Sequence, residues 1–122
     1  MRPASPAGFG LIGRKPVFLI PGNPVSCLAA YEFLAGPALR RLGGLAMEWP
    51  HRRIELPLAR KISSAIGRVD YVRVRIAGGT VLPLAISGAS ILSSTTRADG
   101  AVIVPAASEG YPEGQQVSVL LY

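Results

Sequence analysis

The 122-residue chain predicts two unlike parts: an α/β segment at the N-terminal end, then a small, mainly antiparallel β domain. Three observations carry that expectation. Residues 16–20, PVFLI, form an unbroken apolar run that leads through Pro, Gly and Asn into apolar residues at helical spacing. Five short runs with alternating apolar residues, at 53–59, 70–76, 80–86, 101–106 and 116–122, are separated by turn signals at Gly67, Gly78-Gly79, Gly100 and EGYPEG. Trp49-Pro50 marks the change of texture between the two parts.

Taken in order, PVFLI between Pro and Gly has the pattern of a strand covered on both faces in a parallel sheet. A helix follows. Asn23 suits its N-cap, and Pro24 fits N1, where a missing N–H costs nothing. Val25, Leu28, Ala29 and Phe33 then recur at helical spacing. Pro37 should kink or restart the helix, Arg40 and Arg41 suit its C-terminal end, and Gly43-Gly44 stop it. A parallel strand needs neighbours, and burying VFLI against them is worth roughly 6–12 kcal/mol that one strand cannot collect alone. Residues 1–46 are therefore expected to be the tail of a larger α/β domain lying upstream. The five later runs fit a small antiparallel barrel or sandwich, and SGASILSSTTRADG (87–100) breaks the strand pattern with an expected helical turn.

Composition narrows the function classes. With 49% hydrophobic and 16% charged residues the chain is globular, and no apolar run approaches the length needed to cross a bilayer. The start MRPASPAGFG lacks the continuous apolar core of a signal peptide, so the expected address is cytoplasmic, with no membrane partner. A net charge of +6 attracts anions in general, but the basic residues lie in scattered pairs (Arg40-Arg41, Arg52-Arg53, Arg60-Lys61) that read equally as a solvated surface. Tyr71, Tyr111 and Tyr122 are too few and too far apart in sequence to stack single-stranded nucleic acid, so no nucleic-acid partner is expected. Cys27 is alone, which excludes an internal disulfide, and it is expected to pack. His51 has no second His nearby and reads as a solvated linker residue; no metal site is expected within this chain.

In VDYVRVR, alternation puts Val72, Val74 and Ile76 on one face and Tyr71, Arg73 and Arg75 on the other. Two arginines at i and i+2 form a clamp for phosphate or carboxylate, or else a solvated face paired with Asp70 or Glu55. Ser87, Ser90, Ser93, Ser94, Thr95 and Thr96 supply hydroxyls either as oxyanion donors or as turns and caps. No catalytic triad can be assembled around the one His. PGNPVS lacks the Lys-Ser/Thr pair of a P-loop, and Pro24 removes one backbone donor, so this loop reads as a stiff wall more than a phosphate cradle.

IPGNPVSCLAAYEFLAGPALRRLGG closely resembles the Leu-Pro-Gly-Asn-Pro-Val-Ser segment and following helix of the MoeA family, the molybdopterin molybdotransferases, whose eukaryotic relative is the gephyrin E domain. GRVDYVRV, SGASILSS, ADGAVIVP and EGQQV resemble later elements of the family in the same order, so the likeness spans essentially the whole chain. It implies that residues 1–46 end the molybdopterin-binding α/β domain, 47–52 are a linker, and 53–122 form the family's C-terminal β-barrel domain. The implied activity is insertion of molybdenum from molybdate into adenylylated molybdopterin with release of AMP, assisted by Mg2+, in a cytoplasmic homodimer. Carried over by position, Arg73 and Ser90 are the implied catalytic residues. Pro21, Gly22, Asn23, Pro24, Ser26 and Arg2 are the implied substrate-binding ones. Arg2 stands for the first Lys of a Lys-Pro-Gly-Lys-Pro element, and Ala4-Ser5 replaces its Gly-Lys, losing the second charge. The family's acidic residues and Gly-Gly-x-Ser pterin loop fall upstream of Met1. The resemblance therefore implies an inactive fragment whose Mg2+ ligands lie elsewhere, with a non-catalytic scaffold module of the gephyrin type as the alternative.

Overall fold

The computed structural model describes residues 1–84 and 95–122. The N-terminal part opens with a hairpin of β1 (Gly8–Ile12) and β2 (Lys15–Leu19), paired antiparallel from Gly8 opposite Leu19 to Ile12 opposite Lys15. This corrects the expected parallel-type strand. The two-residue connection Gly13-Arg14, with Gly13 at φ 61°, lets the chain fold straight back, so VFLI finds its partner locally. Nor is it covered on both faces: its Leu19 and Ile20 are exposed, as are Phe9, Leu11 and Ile12 of its partner β1.

The helix starts as its residues dictate. Asn23 caps it, its side chain accepting from the N–H groups of Val25 (3.1 Å) and Ser26 (3.3 Å), and Pro24 opens α1 (Pro24–Ala30). A single π-helical turn (Tyr31–Ala35) leads into α2 (Gly36–Leu42), which carries Pro37 in its first turn and ends at Gly43-Gly44, with Gly44 at φ 78°. Pro37 thus restarts the helix. In the wider π pattern Gly36 N–H bonds the carbonyl of Tyr31, so Glu32 would be served next by residue 37, which has no N–H. The indole N–H of Trp49 supplies the missing bond to Glu32 O at 2.8 Å.

All five expected β runs form strands: β3 (Arg53–Pro57), β5 (Asp70–Ala77), β6 (Thr80–Pro83), β7 (Gly100–Val104) and β9 (Gln116–Leu121). Two short strands were not legible in the sequence, β4 (Ile62–Ser63) and β8 (Gly110–Tyr111), which pair only with each other. The five long strands make one antiparallel sheet in the order β3-β9-β7-β5-β6. Its two prolines within strands, Pro57 and Pro83, both sit on edge strands, where a missing donor is tolerated. Gly78 and Gly79, both at positive φ, make the two-residue turn between β5 and β6 that the right-handed strand twist favours.

An odd number of alternating strands leaves the two edges running the same way, and they meet. Leu58, just past β3, forms a parallel bridge with Val81 of β6, and Ala59 N–H donates to Val81 O at 2.8 Å. The sheet is therefore curled and barrel-like. Its interior is filled by Leu58, Ile62, Val72, Val74, Val81, Val102, Val104, Val117 and Val119, all nearly inaccessible. The N-terminal part lies on the outer face of β5 and β7: Ala29 and Ala30 of α1 join Ala4, Tyr71 and Ala101 in a second core, with Phe33 and Ile103 at its margin. Small side chains on both surfaces let helix and sheet approach closely. Among the described residues no helix is long and apolar enough to cross a membrane.

Candidate functional site

Strand β5 is covered on both faces, and this makes the site. Val72 and Val74 point their side of the pleat into the barrel core, which commits Tyr71 and Arg73 to the face beneath α1. Arg75, on that same face, lies beyond the helical cover and is exposed. The two arginines therefore do not form a clamp, and neither is set on Asp70 or Glu55. Asp70 is taken by Arg2 (2.9 Å), by Ser64 Oγ (2.8 Å) and, at 3.5 Å, by Arg68, while Glu55 is exposed.

Arg73 is 5% exposed and lines a cavity of about 200 Å3 together with Val25, Leu28, Glu32, Tyr71, Thr95 and Tyr122. Its guanidinium donates to Thr95 Oγ1 at 3.2 Å. Among the described residues no carboxylate lies within ion-pair distance of it. Glu32, the one acidic wall residue, has its carboxylate 3.0 Å from His51 Nε2. Tyr71 donates its hydroxyl proton to Tyr122 at 2.8 Å, closing the floor.

Burial pushes the Tyr71 phenol far up, reinforced by the neighbouring Tyr122 hydroxyl and by Glu32, with Arg73 pulling the other way. Desolvation raises Tyr122 as well, against the opposing effects of the Tyr71 hydrogen bond and the Arg73 charge. Arg73 is itself lowered, because burial disfavours its charge. The site is thus a largely apolar, half-open pocket that brings three hydroxyls to a buried guanidinium with no counter-ion among the described residues. It suits an oxyanion.

The other sequence-derived candidates fall elsewhere. Pro21 is half-buried, Gly22 and Pro24 are exposed, and Asn23 is spent on the cap; Ser26 is buried in α1, and only the next-door Val25 reaches the Arg73 cavity. Arg2 is locked to Asp70 and to β5, with its N–H on Val69 O and its carbonyl accepting from Tyr71 N–H. Ser90, with Ser87, Ser93 and Ser94, lies outside the described residues, whereas Thr95 and Thr96 form a helical turn. His51 is not the solvated linker residue expected: it contacts Glu32 and stands edge-on to Tyr122 at 6.1 Å. Cys27 is half-buried and free. Among the described residues no three His, Cys, Asp or Glu side chains gather as a metal site, so nothing here fits the implied Mg2+.

Sequence reasoning named Thr95 among six possible oxyanion donors but missed Glu32 and Tyr122 as wall residues. A usable signal existed for Glu32: Val25, Leu28 and Glu32 stand at i, i+3 and i+7, one face of a helix. Thr95 and Tyr122 reach the cavity through long-range pairing that no local pattern carries.

With the geometry in hand, comparison with known proteins gives a consistent result. The model for the MoeA C-terminal region (domain IV) matches residues 55–122. A molybdopterin biosynthesis protein of Methanocaldococcus jannaschii is 37% identical over 122 residues, covering 99% of this chain and 28% of that protein. Molybdopterin molybdenumtransferase 1 of Mycobacterium tuberculosis is 34% identical over 131 residues, covering 98% of this chain and 30% of its own length. The crystal structure of a molybdopterin biosynthesis MoeA protein from Pyrococcus horikoshii superimposes with a TM-score of 0.83 at 30% identity, over 99% of this chain and 30% of that one. A molybdenum cofactor biosynthesis protein from Pyrococcus furiosus gives 0.85 at 30% identity, over 99% and 42% respectively. The chain spans less than a third of the length of these two curated relatives. By the family model across more than half of its residues, the chain belongs to the MoeA family.

Proposed function

We propose that this chain is the C-terminal portion of a molybdopterin molybdotransferase, which inserts molybdenum from molybdate into adenylylated molybdopterin and releases AMP. In this reading residues 1–46 complete a molybdopterin-binding domain, 47–52 link it to the C-terminal domain at 53–122, and the working protein is a cytoplasmic homodimer that uses Mg2+ held by residues outside this chain. Arg73 acts on a substrate oxyanion by charge, Ser90 donates a hydrogen bond, and the Pro21–Pro24 loop shapes the pocket, with Arg2 paired to Asp70 at the start of β5. None of these roles requires a covalent intermediate. The chain alone is expected to release no AMP.

The observation that carries this reading is Arg73: a buried guanidinium beside three hydroxyls, with no carboxylate within ion-pair distance among the described residues. A desolvated cation left without a counter-charge is costly, and an anionic substrate removes that cost when it binds. In the complete protein, Arg73→Ala should lower AMP release from adenylylated molybdopterin by at least about tenfold, the scale of one charge-assisted hydrogen bond, with the unfolding midpoint retained. Undiminished release would remove Arg73 from the site.

A further inference from the structure

Glu32 and Arg73 are opposite charges on the walls of one cavity, yet they are not paired. Opposite charges lining one cavity attract each other, and the linker holds Glu32 elsewhere. The linker does so at two points. Trp49 donates its indole N–H to the main-chain carbonyl of Glu32 at 2.8 Å, and His51, two residues on, holds the side-chain carboxylate at 3.0 Å. A carboxylate only accepts, so His51 presents Nε2 as N–H.

Both anchors are themselves fixed. Trp49 stands edge-on to Phe33 at 5.0 Å, Phe33 edge-on to Tyr71 at 5.8 Å, and His51 edge-on to Tyr122, whose hydroxyl accepts from Tyr71. These contacts form a closed chain of side chains that shares Glu32, Tyr71 and Tyr122 with the cavity wall. The side chains of His51 and Glu32 are 18% and 19% exposed, so their hydrogen bond is shielded enough to compete with the attraction of Arg73.

We infer that Trp49 and His51 are positioning residues that withhold Glu32 from Arg73, keeping the Arg73 site open to an external oxyanion. When His51 lets go, Glu32 turns to Arg73 and becomes an internal competitor. The linker is thereby part of the binding site's control as well as its connection. This inference rests on the proposal that Arg73 receives an oxyanion, and the test separates the two.

The probe is molybdate, titrated calorimetrically into the complete protein, with thermal unfolding measured for every variant. His51→Phe keeps a ring against Tyr122 but removes the donor. If Glu32 then occupies Arg73 in about nine molecules of ten, apparent molybdate affinity falls about tenfold. Adding Glu32→Gln removes the competitor, so the double variant should return to within about twofold of the parent, a rescue that a merely structural His51 would not show. Unchanged affinity in His51→Phe, or an equal loss in the double variant, overturns the inference while leaving the Arg73 reading in place. Molybdate binding that is absent from the parent, or undiminished in Arg73→Met, overturns the Arg73 reading and this inference with it.

Discussion

Replacing Arg73 by Met asks whether its charge serves folding or a ligand. The side chain is 5% exposed, its one hydrogen bond among the described residues goes to Thr95 Oγ1 at 3.2 Å, and no described carboxylate is within ion-pair distance of it. Losing that bond costs on the order of 1 kcal/mol, since Thr95 is only half-buried and its hydroxyl can turn to the cavity. Removing the desolvated charge works in the other direction. Even well-paired buried ions, replaced by apolar groups of similar volume, leave stability unchanged or raise it by about 1–4 kcal/mol, and Arg73 lacks the pairing. The Met side chain keeps the packing of the stem against Tyr71 and α1. Arg73→Met should therefore be as stable as the parent or up to about 3 kcal/mol more stable, with each kcal/mol raising Tm by about 3–6 °C. Molybdate affinity should fall by about 10–100-fold, the scale of a charged hydrogen bond to an oxyanion. Urea unfolding and calorimetric titration of the same two proteins measure both. A loss of more than about 2 kcal/mol of stability would refute the reasoning, because it would mean that the folded chain already satisfies this charge.

Three further outcomes follow from named contacts. Burial holds Tyr71 and Tyr122 above the ordinary tyrosine value of 10.0, so their contribution is fully present below pH 10.0 and is lost as pH rises from there towards their native values. Urea unfolding between about pH 9 and 11.5 should show stability falling by up to about 1.4 kcal/mol per pH unit for Tyr71, with a smaller share from the half-exposed Tyr122, whose shift solvent screens, and a shallower fall in Tyr71→Phe. In Gly100→Ala the new methyl would collide with the Leu120 carbonyl oxygen across the β7–β9 pairing, and roughly 2–4 kcal/mol of stability should be lost by the same unfolding measurement. Trp49→Phe preserves an aromatic ring against Phe33 but strands the Glu32 carbonyl that Pro37 cannot serve; a loss of about 1–3 kcal/mol is expected, and hydrogen-exchange protection should fall first in the π turn.

The parts of the fold that the sequence made legible are those governed by local periodicity and by special backbone residues. Alternation located all five long strands and correctly separated Val72 and Val74 from Tyr71 and Arg73. Asn23, Pro24, Pro37 and Gly43-Gly44 marked the helix start, restart and stop, because each acts through its own backbone chemistry. VFLI misled for an equally physical reason: an apolar run reports affinity for other surfaces, not the direction of the strand that pairs with it, and the Gly13-Arg14 turn settled that locally. The site was half legible. Arg73 stood out by residue type, but its burial depends on α1 lying across β5, and Glu32, Thr95 and Tyr122 reach the cavity from three distant segments. The same long-range docking turned His51 from an apparent linker residue into a partner of Glu32.

At the start of α1 the free N–H groups are taken up by the helix's own cap. A Gly-Asn loop before a helix suggests an anion held on free N–H groups, so the question is where those donors go. Pro24 has none; Val25 and Ser26 donate to the Asn23 side chain; Cys27 donates to the Asn23 carbonyl at 2.8 Å. The first turn of α1 is therefore fully satisfied by its own cap, and an anion there would have to displace Asn23. Stiffened by Pro21 and Pro24, the loop can offer shape, whereas a charge without an ion-pair partner among the described residues lies one layer deeper, on Arg73 beneath Val25 and Leu28. The helix matters to the site chiefly because it buries the guanidinium, and that desolvation, with the Glu32 carboxylate held by His51, is the basis of the oxyanion proposal.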